Sequence, residues 1–462
     1  MATRTEHDSL GDVTLPASAY YGAQTQRAVE NFPISGMKAH PALIRATALI
    51  KLASARANKA LGKLDARRAE AIEQAARGIA EGALREQFVV DVFQAGAGTS
   101  HNMNANEVIA NRANEILGGT RGVYDPVHPN DHVNMSQSTN DTVPAAIRVA
   151  ALSLAPPLID AIDALSSALD AKGQEFDAVL KSARTHLQDA VPIRLGQEFA
   201  GWAWTVRRDG WRIEQALEFL LDLNLGGSAA GTGMNTHPAY AAAVAEELSA
   251  VADMELRPAG NLIAVMQSMS DFAHLSSALR TCALDLIQIT NDLRLLSSGP
   301  RTGLAEIALP PVQPGSSIMP GKVNPVIPEM VDMVCFQVVA NDTAVALAVQ
   351  AGQLDLNVMM PLIAHNLLQS MEILTNAVRV LVGRCVAGIT ADEARARRYF
   401  ESTVGMATVL NPLIGYEEAA KVAQESADTG ETIIEVVRRR GLLDEDQIAR
   451  LFDPATLTEP RA

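Results

Sequence analysis

The 462-residue chain carries 38 Lys plus Arg against 53 Asp plus Glu, a net charge of -15, and is 48% hydrophobic but only 4% aromatic. At about 100–200 residues per domain this length suggests two to four domains, and it excludes disorder for most of the chain. An acidic chain with no Lys/Arg run longer than Arg438-Arg439-Arg440 is unsuited to gripping a nucleic-acid backbone. Alanine supplies 75 residues, so the core is expected to be aliphatic and helical. No apolar stretch of signal length opens the chain, and no run of about 18 uncharged apolar residues reads as a membrane span. A soluble, cytoplasmic protein without a membrane partner is expected. Cys282, Cys335 and Cys385 are odd in number, far apart and set among apolar residues, which points to reduced core thiols rather than disulfides or a zinc site.

Glycine and proline divide the sequence into three parts. Residues 1–140 form a mixed, mostly helical domain, with helices expected from about Pro41 to Leu61 and from Asp65 to Gly82. Its segments 94–106 and 118–140 are rich in Gly, Asn, Ser, Thr and His and read as loops, either plain or functional. Residues 141–389 read as a central bundle of long helices, with runs at 191–223, 262–297, 328–350 and 361–386. Between Leu262 and Ser297 there is no Gly or Pro, and Met269, Phe272, Leu275, Leu279, Cys282, Leu286, Ile289, Leu293 and Leu296 recur at helical-seam spacing. One helix of about 50 Å is predicted, stopped by Gly299-Pro300. Several runs are apolar on more than one face, as expected of helices buried against other subunits. Residues 390–462 read as a small helical domain opening on a Thr390–Glu393 capping box, with divisions at Asn411-Pro412, Thr429-Gly430, Gly441 and Asp453-Pro454.

The most unusual segment is Gly315-Ser316-Ser317-Ile318-Met319-Pro320-Gly321-Lys322-Val323-Asn324-Pro325. It is not a phosphate loop, because five residues separate its glycines and Val323 stands where a hydroxyl should hold magnesium. Three other segments share its polar character: Gly96 to Asn104, Ser136 to Asp141, and Arg184 to Asp189. None carries an HExxH or CxxC pattern, so no metal site is read, and Gly231-Thr232-Gly233 lacks the third glycine of a dinucleotide loop. No cofactor is expected. Neutral hydroxyls and amides with one lysine and one histidine suit a small dicarboxylate, to which they donate many hydrogen bonds while importing little fixed charge. Thr99, Ser138 and Thr185 have a plainer, secondary reading as helix caps or turn hydroxyls. Glu329, after Pro328, fits a helix N-terminus, and His186 fits a satisfied core histidine. His128, His132, His237, His274, His365 and the tryptophans Trp202, Trp204 and Trp211 read as structural.

The Gly315 to Pro325 segment, with the other three in this order, resembles the fumarase/aspartase superfamily. The similarity runs from Leu10-Gly11 and Tyr20-Tyr21-Gly22 through Asn291-Asp292-Leu293-Arg294 to Gly430-Glu431. Ser138-Thr139-Asn140, Asn324 to Glu329 and Val334 to Val338 look like the aspartase branch. The resemblance implies a mainly α, three-domain fold with a central long-helix bundle, and a homotetramer whose active sites are shared between subunits. It implies conversion of L-aspartate to fumarate and ammonia, with fumarate hydration, a lyase acting on a substituted aspartate, or a non-catalytic scaffold as alternatives. Met360 departs from the family, standing where the aspartase branch has an acidic residue and fumarases a lysine. Ala183 replaces a glycine.

By the same resemblance Ser316 would be the catalytic base, its oxyanion supported by backbone N–H groups and Lys322. Thr99, Ser138, Thr139 and Ser317 would hold the β-carboxylate, and Thr185, Lys322 and Asn324 the α-carboxylate. Asn140 and His186 would meet the amino group, with Glu329 orienting His186. The chemistry demands such donors, since a carbanion beside a carboxylate becomes an enediolate with two negative charges.

Overall fold

A computed structural model describes residues 2–451 and 453–460. A hairpin of β1 (Thr3–Asp8) and β2 (Gly11–Pro16) precedes helices α1 (Ala23–Asn31), α2 (Pro41–Ala60), α3 (Ala66–Ala80) and α4 (Thr99–Ile116). Then come α5 (Thr139–Glu175), the hairpin β3 (Leu180–Thr185) and β4 (Gln188–Arg194), and α6 (Leu195–Glu218). Two short parallel strands, β5 (Asp222–Leu223) and β6 (Arg257–Pro258), bracket α7 (Tyr240–Ala252). The chain continues as α8 (Leu262–Gln267), α9 (Ser270–Leu296), β7 (Ile307–Ala308), α10 (Val326–Gln350) and α11 (Met360–Arg384). β8 (Thr390–Ala391) pairs with β7, and the chain ends in α12 (Glu393–Ser402), α13 (Ala407–Ile414), α14 (Tyr416–Thr429), α15 (Ile433–Arg439), α16 (Glu445–Leu451) and α17 (Pro454–Thr458).

The mainly α architecture with long central helices is as expected, and the differences have local causes. The predicted 262–297 helix is two helices, because Ser268 is extended (φ -103°, ψ 126°) and its hydroxyl accepts the Ser270 N–H at 3.3 Å, starting α9 afresh. The seam itself holds, since all nine of its residues are buried. Residues 191–194 belong to β4 rather than to the following helix. The Thr390–Glu393 capping box does not form; Thr390 pairs in β8 and Asp392 caps α12 by accepting from Arg395 N. Asn411-Pro412 lies inside α13, which ends at Gly415 (φ 80°) instead. Segment 94–106 is largely not a loop: α4 begins at Thr99 and buries fourteen of its eighteen residues. Several of its amides are held by neighbouring loops, as where Asn114 exchanges hydrogen bonds with the Val127 backbone and Asn104 reaches Gln87 O and Val89 N, whereas the oxygens of Asn102 and Asn106 are buried without a hydrogen-bond partner among the described residues. Among the described residues two helices are long and apolar enough to cross a membrane by length and composition, α5 and α10, with mean hydropathy 1.5 and 1.4. Reading only uncharged runs hid them, because Arg148 interrupts α5 and Asp332 and Asp342 interrupt α10. Arg148 is fully buried and paired with Asp271 at 2.7 Å.

Contacts divide the chain into two compact units of interleaved segments: 1–159, 211–281 and 336–374, and 160–210, 282–335 and 375–462. The first has a core in which α2, α3 and α4 meet through Ala48, Ala55, Ala69, Ala76, Ala105 and Ala113. Such small side chains let helix axes approach closely. The second has an aliphatic cluster from α12 to α16 around Phe400, Leu410, Val422, Val436 and Ile448. All three cysteines are buried and outside any disulfide, and burial pushes the Cys335 and Cys385 thiols up to about 12. Met360 is fully buried at the start of α11, an environment that a neutral side chain suits.

Candidate active site

In the first unit, the starts of α4 and α5 bring together Thr99, Ser138, Thr139 and Asn140. Gly98, left-handed at φ 81°, lies so close to Val143 that a Cβ there would meet that side chain at 3.0 Å. Asn102 Nδ2 spans the two helices, donating to Thr139 Oγ1 at 3.2 Å. Ser138 and Asp141 cap α5 reciprocally: Ser138 Oγ accepts from Asn140 N at 3.2 Å, and the Asp141 carboxylate accepts from Ser138 N at 2.9 Å. Asn140 donates to Ala229 O at 2.9 Å. Thr99 Oγ1 faces Gly96 O at 3.4 Å, a turn hydroxyl at an exposed helix start.

Below these hydroxyls lies a buried polar layer that the sequence reading passed over. Lys51, fully buried in the apolar α2, donates to Asn134 Oδ1 and Gln137 Oε1, both at 2.9 Å. Burial pulls its ammonium down to about 7, against the opposing attraction of Asp141. The Asp141 carboxyl is pushed up to about 6 by its own burial, although Ser138, Ser228 and Gly226 N–H groups favour its charged form. His101, hydrogen-bonded to Thr47 at 3.0 Å, is driven down to about 4 by burial and by Lys51, so it is neutral at pH 7. The signal that could have found this layer is a lone lysine inside an apolar helix face, since an unpaired charge is not left there.

The Gly231-Thr232-Gly233 segment proves to be a packing device. Asp141 accepts from Gly226 N and Ser228 N at 3.2 and 2.9 Å, tying the glycine-rich turn to the start of α5. A Cβ on Gly231, at φ 85°, would sit 2.6 Å from Ile263 Cα. Only glycine fits so close an approach.

In the second unit, Thr185 and His186 sit at the tip of the β3–β4 hairpin. Thr185 pairs with Gln188, and the two turn residues His186 and Leu187 have φ of 56° and 58°, the left-handed pair that a tight right-twisted hairpin requires. Both Thr185 and His186 are exposed. The hairpin is anchored one residue below its tip, where Arg184 grips the fully buried Glu306 through two hydrogen bonds of 2.9 and 3.0 Å. Lys181 stands 3.4 Å from the same carboxylate and 2.8 Å from Glu198.

The Gly315 to Pro325 segment of the same unit is a closed loop. Gly315 N donates to Lys322 O at 2.8 Å, Asn324 Nδ2 donates to Gly315 O at 2.7 Å, and Gly321 turns at φ 80°. Ser316 Oγ accepts the N–H groups of Ile318 and Met319 at 3.1 and 2.9 Å. Two N–H donors on one hydroxyl oxygen are what would stabilise an alkoxide there. Ile318 and Lys322 are exposed, and Lys322 and Asn324 border an open cleft of about 750 Å³ with Asn291, Arg294 and Ser298. Ser317 is exposed in this loop, and Glu329 lies half-buried in the first turn of α10. Among the described residues no hydrogen bond joins Glu329 to His186 within the chain.

Comparison with known proteins places the chain in a family. The family described as Lyase matches residues 11–340, and that described as Fumarase C C-terminus matches residues 406–459. An aspartate ammonia-lyase from a Bacillus species is 48% identical over 99% of this chain and 98% of its own length. A class II fumarate hydratase from Bradyrhizobium diazoefficiens is 44% identical over 99% of this chain and 97% of its own. The solved structure of fumarate lyase:delta crystallin from Brucella melitensis, bound to cobalt, superposes with a TM-score of 0.96 at 50% identity, covering 99% of this chain and all of that one. With its greater part matched by one family and 99% of its length by these relatives, the chain belongs to the lyase family, and its residues 406–459 match the fumarase C-terminal family.

Proposed function

We propose that the protein is an aspartate ammonia-lyase, converting L-aspartate reversibly to fumarate and ammonia. The observation that carries this reading is its likeness, over 99% of the chain, to the Bacillus aspartate ammonia-lyase. Thr139, where fumarases tend to carry a second serine, agrees with it. Ser316 removes the proton beside the β-carboxylate, and its two backbone N–H donors support that role by lowering the cost of the oxyanion. Thr99, Ser138, Thr139 and Ser317 hold the β-carboxylate, where negative charge grows as the enediolate forms. Thr185, Lys322 and Asn324 hold the α-carboxylate. Asn140 and His186 meet the amino group, with Glu329 orienting His186 from another subunit.

The working form we propose is a cytoplasmic homotetramer that shares its active sites. Support comes from α10, whose apolar stretch is only 39% buried and exposes Met333, Phe336 and Leu347, and from the exposed Trp204 and Trp211 on α6. Three cysteines outside disulfides suit a reducing compartment. The reading is tested by supplying purified protein with L-aspartate, then with L-malate, and following fumarate absorbance. Fumarate from aspartate is expected. Fumarate from malate alone would transfer the assignment to fumarate hydration, the reading that the Bradyrhizobium relative favours.

A further inference from the structure

We propose that Asn102, oriented by Lys51 through Asn134, fixes the direction of the Thr139 hydrogen bond, so that the Thr139 hydroxyl is held as a donor toward the substrate carboxylate. This rests on the reading above, in which Thr139 meets the β-carboxylate.

The argument is one of hydrogen-bond polarity. The Lys51 amine, charged or neutral, donates to the oxygens of Asn134 and Gln137 at 2.9 Å. Both amides are oriented a second time by their nitrogens: Asn134 Nδ2 donates to Gln137 O at 3.2 Å, and Gln137 Nε2 donates to Val133 O and Met135 O at 3.0 and 3.1 Å. Asn134 Oδ1 can therefore be approached only by donors. Asn102 Nδ2 and Asn106 Nδ2 meet it, each at 3.2 Å. These donors set the Asn102 amide with its nitrogen toward Asn134, at the cost of a buried Oδ1 without a partner among the described residues, and its remaining hydrogen goes to Thr139 Oγ1 at 3.2 Å.

A hydroxyl that accepts from an amide keeps its single proton for another partner, and Thr139 Oγ1 has no other partner among the described residues. Were the Asn102 amide reversed, Thr139 would donate inward and turn only lone pairs toward an incoming carboxylate, a repulsive arrangement. The consequence is largest where charge is largest, in the enediolate, so Asn102 acts on turnover more than on substrate binding. Asn106 shares the Asn134 oxygen but its other contact is Met103 Sδ at 3.4 Å, so it belongs to the layer without reaching Thr139.

The test is a double-mutant cycle on kcat with Asn102→Ala, Thr139→Ala and the pair. Asn102→Ala is expected to lower kcat by about 10- to 100-fold with KM changed less than about threefold. In the Thr139→Ala background it should cost less than about threefold more, because the group it acts through is gone. Lys51→Met should show the same non-additivity, and Asn106→Ala should lower the melting temperature with a smaller effect on kcat than Asn102→Ala. If Asn102→Ala does not fold, Asn102→Leu, of similar volume, carries the same cycle. Losses that multiply independently, or a normal kcat in folded Asn102→Ala, would overturn the proposal. The unmodified protein is assayed first with L-aspartate and L-malate. No fumarate from either substrate overturns the underlying reading, whereas fumarate formation with independent losses overturns only the role of Asn102.

Discussion

The two sets of polar residues differ in what holds them. Ser138, Thr139 and Asn140 stand on a buried layer in which Lys51, Asn134 and Asn102 are joined by hydrogen bonds and Asp141 holds the Ser138 N–H, and each of the three has a protein partner. The Ser316 loop and the His186 hairpin are anchored at their bases and exposed at their tips, with Ile318 86% and Leu187 72% exposed. A carboxylate grip gains from donors that cost no reorganisation when charge develops, so it belongs on helix starts over a rigid layer. A base and a cation that close on a substrate need room to move, and tips with few internal partners supply it.

The largest expected effect breaks this comparison at the loop. Ser316→Ala should lower kcat by about 1000-fold or more, a barrier increase of about 4 kcal/mol. Its melting temperature should stay close to that of the unmodified protein, because the hydroxyl meets only two N–H groups of its own exposed loop. Turnover within tenfold of normal would remove the base from the loop. The hairpin's anchor gives the next test. Arg184→Met would leave Glu306, fully buried, with Lys181 at 3.4 Å as its remaining cation. Removing one partner of a buried pair costs about 3–5 kcal/mol, measurable by denaturant titration, and a loss under about 1 kcal/mol would show that the anchor is not needed.

Much of this was legible in the sequence, unevenly. The α9 seam was readable because a 3-4 spacing of Leu, Ile and Phe has one physical meaning, burial along one side of a helix, and every seam residue is buried. The break at Ser268 was not, because a serine that caps and a serine that continues a helix look alike until the next hydroxyl is placed. Ser316, Lys322 and Asn324 were found by composition, since few loops combine such groups. Lys51 was passed over: its place inside an apolar helix face was the available signal, but that it faces two amides is shown by the packing alone. Gly231 and Gly233 lack the third glycine of a dinucleotide loop, and a close backbone approach to Ile263 accounts for Gly231.

The buried layer itself is tested by pH. His101 is held at about 4 in the folded protein against an ordinary 6.5, chiefly by burial and secondarily by Lys51. Between those values the unfolded chain binds more protons, so the contribution of His101 to stability falls as pH drops from 6.5 toward 4. The whole window amounts to about 3 kcal/mol. Asp141, raised to about 6, works with the opposite sign, its contribution being lost as pH rises through 6. The measurement is therefore the difference in stability between the protein and His101→Gln across that range. The unmodified protein should lose ground to the variant on acidification, and a flat difference would mean that His101 is not kept neutral by burial.

The smallest effect sharpens the comparison at the exposed tip. Lys322 is exposed, and its side chain has no hydrogen-bonding or ionic partner among the described residues. Its replacement should therefore leave folding untouched. In the role proposed for it, as a cation for an α-carboxylate that is charged both in bound substrate and in the transition state, Lys322 would contribute to the two alike, and uniform binding of this kind appears in KM. Lys322→Ala should raise KM for L-aspartate by about tenfold with kcat within about threefold. An unchanged KM with a collapsed kcat would instead assign Lys322 to the oxyanion of Ser316, and would make the exposed loop a charge-stabilising device in its own right rather than a gripping one.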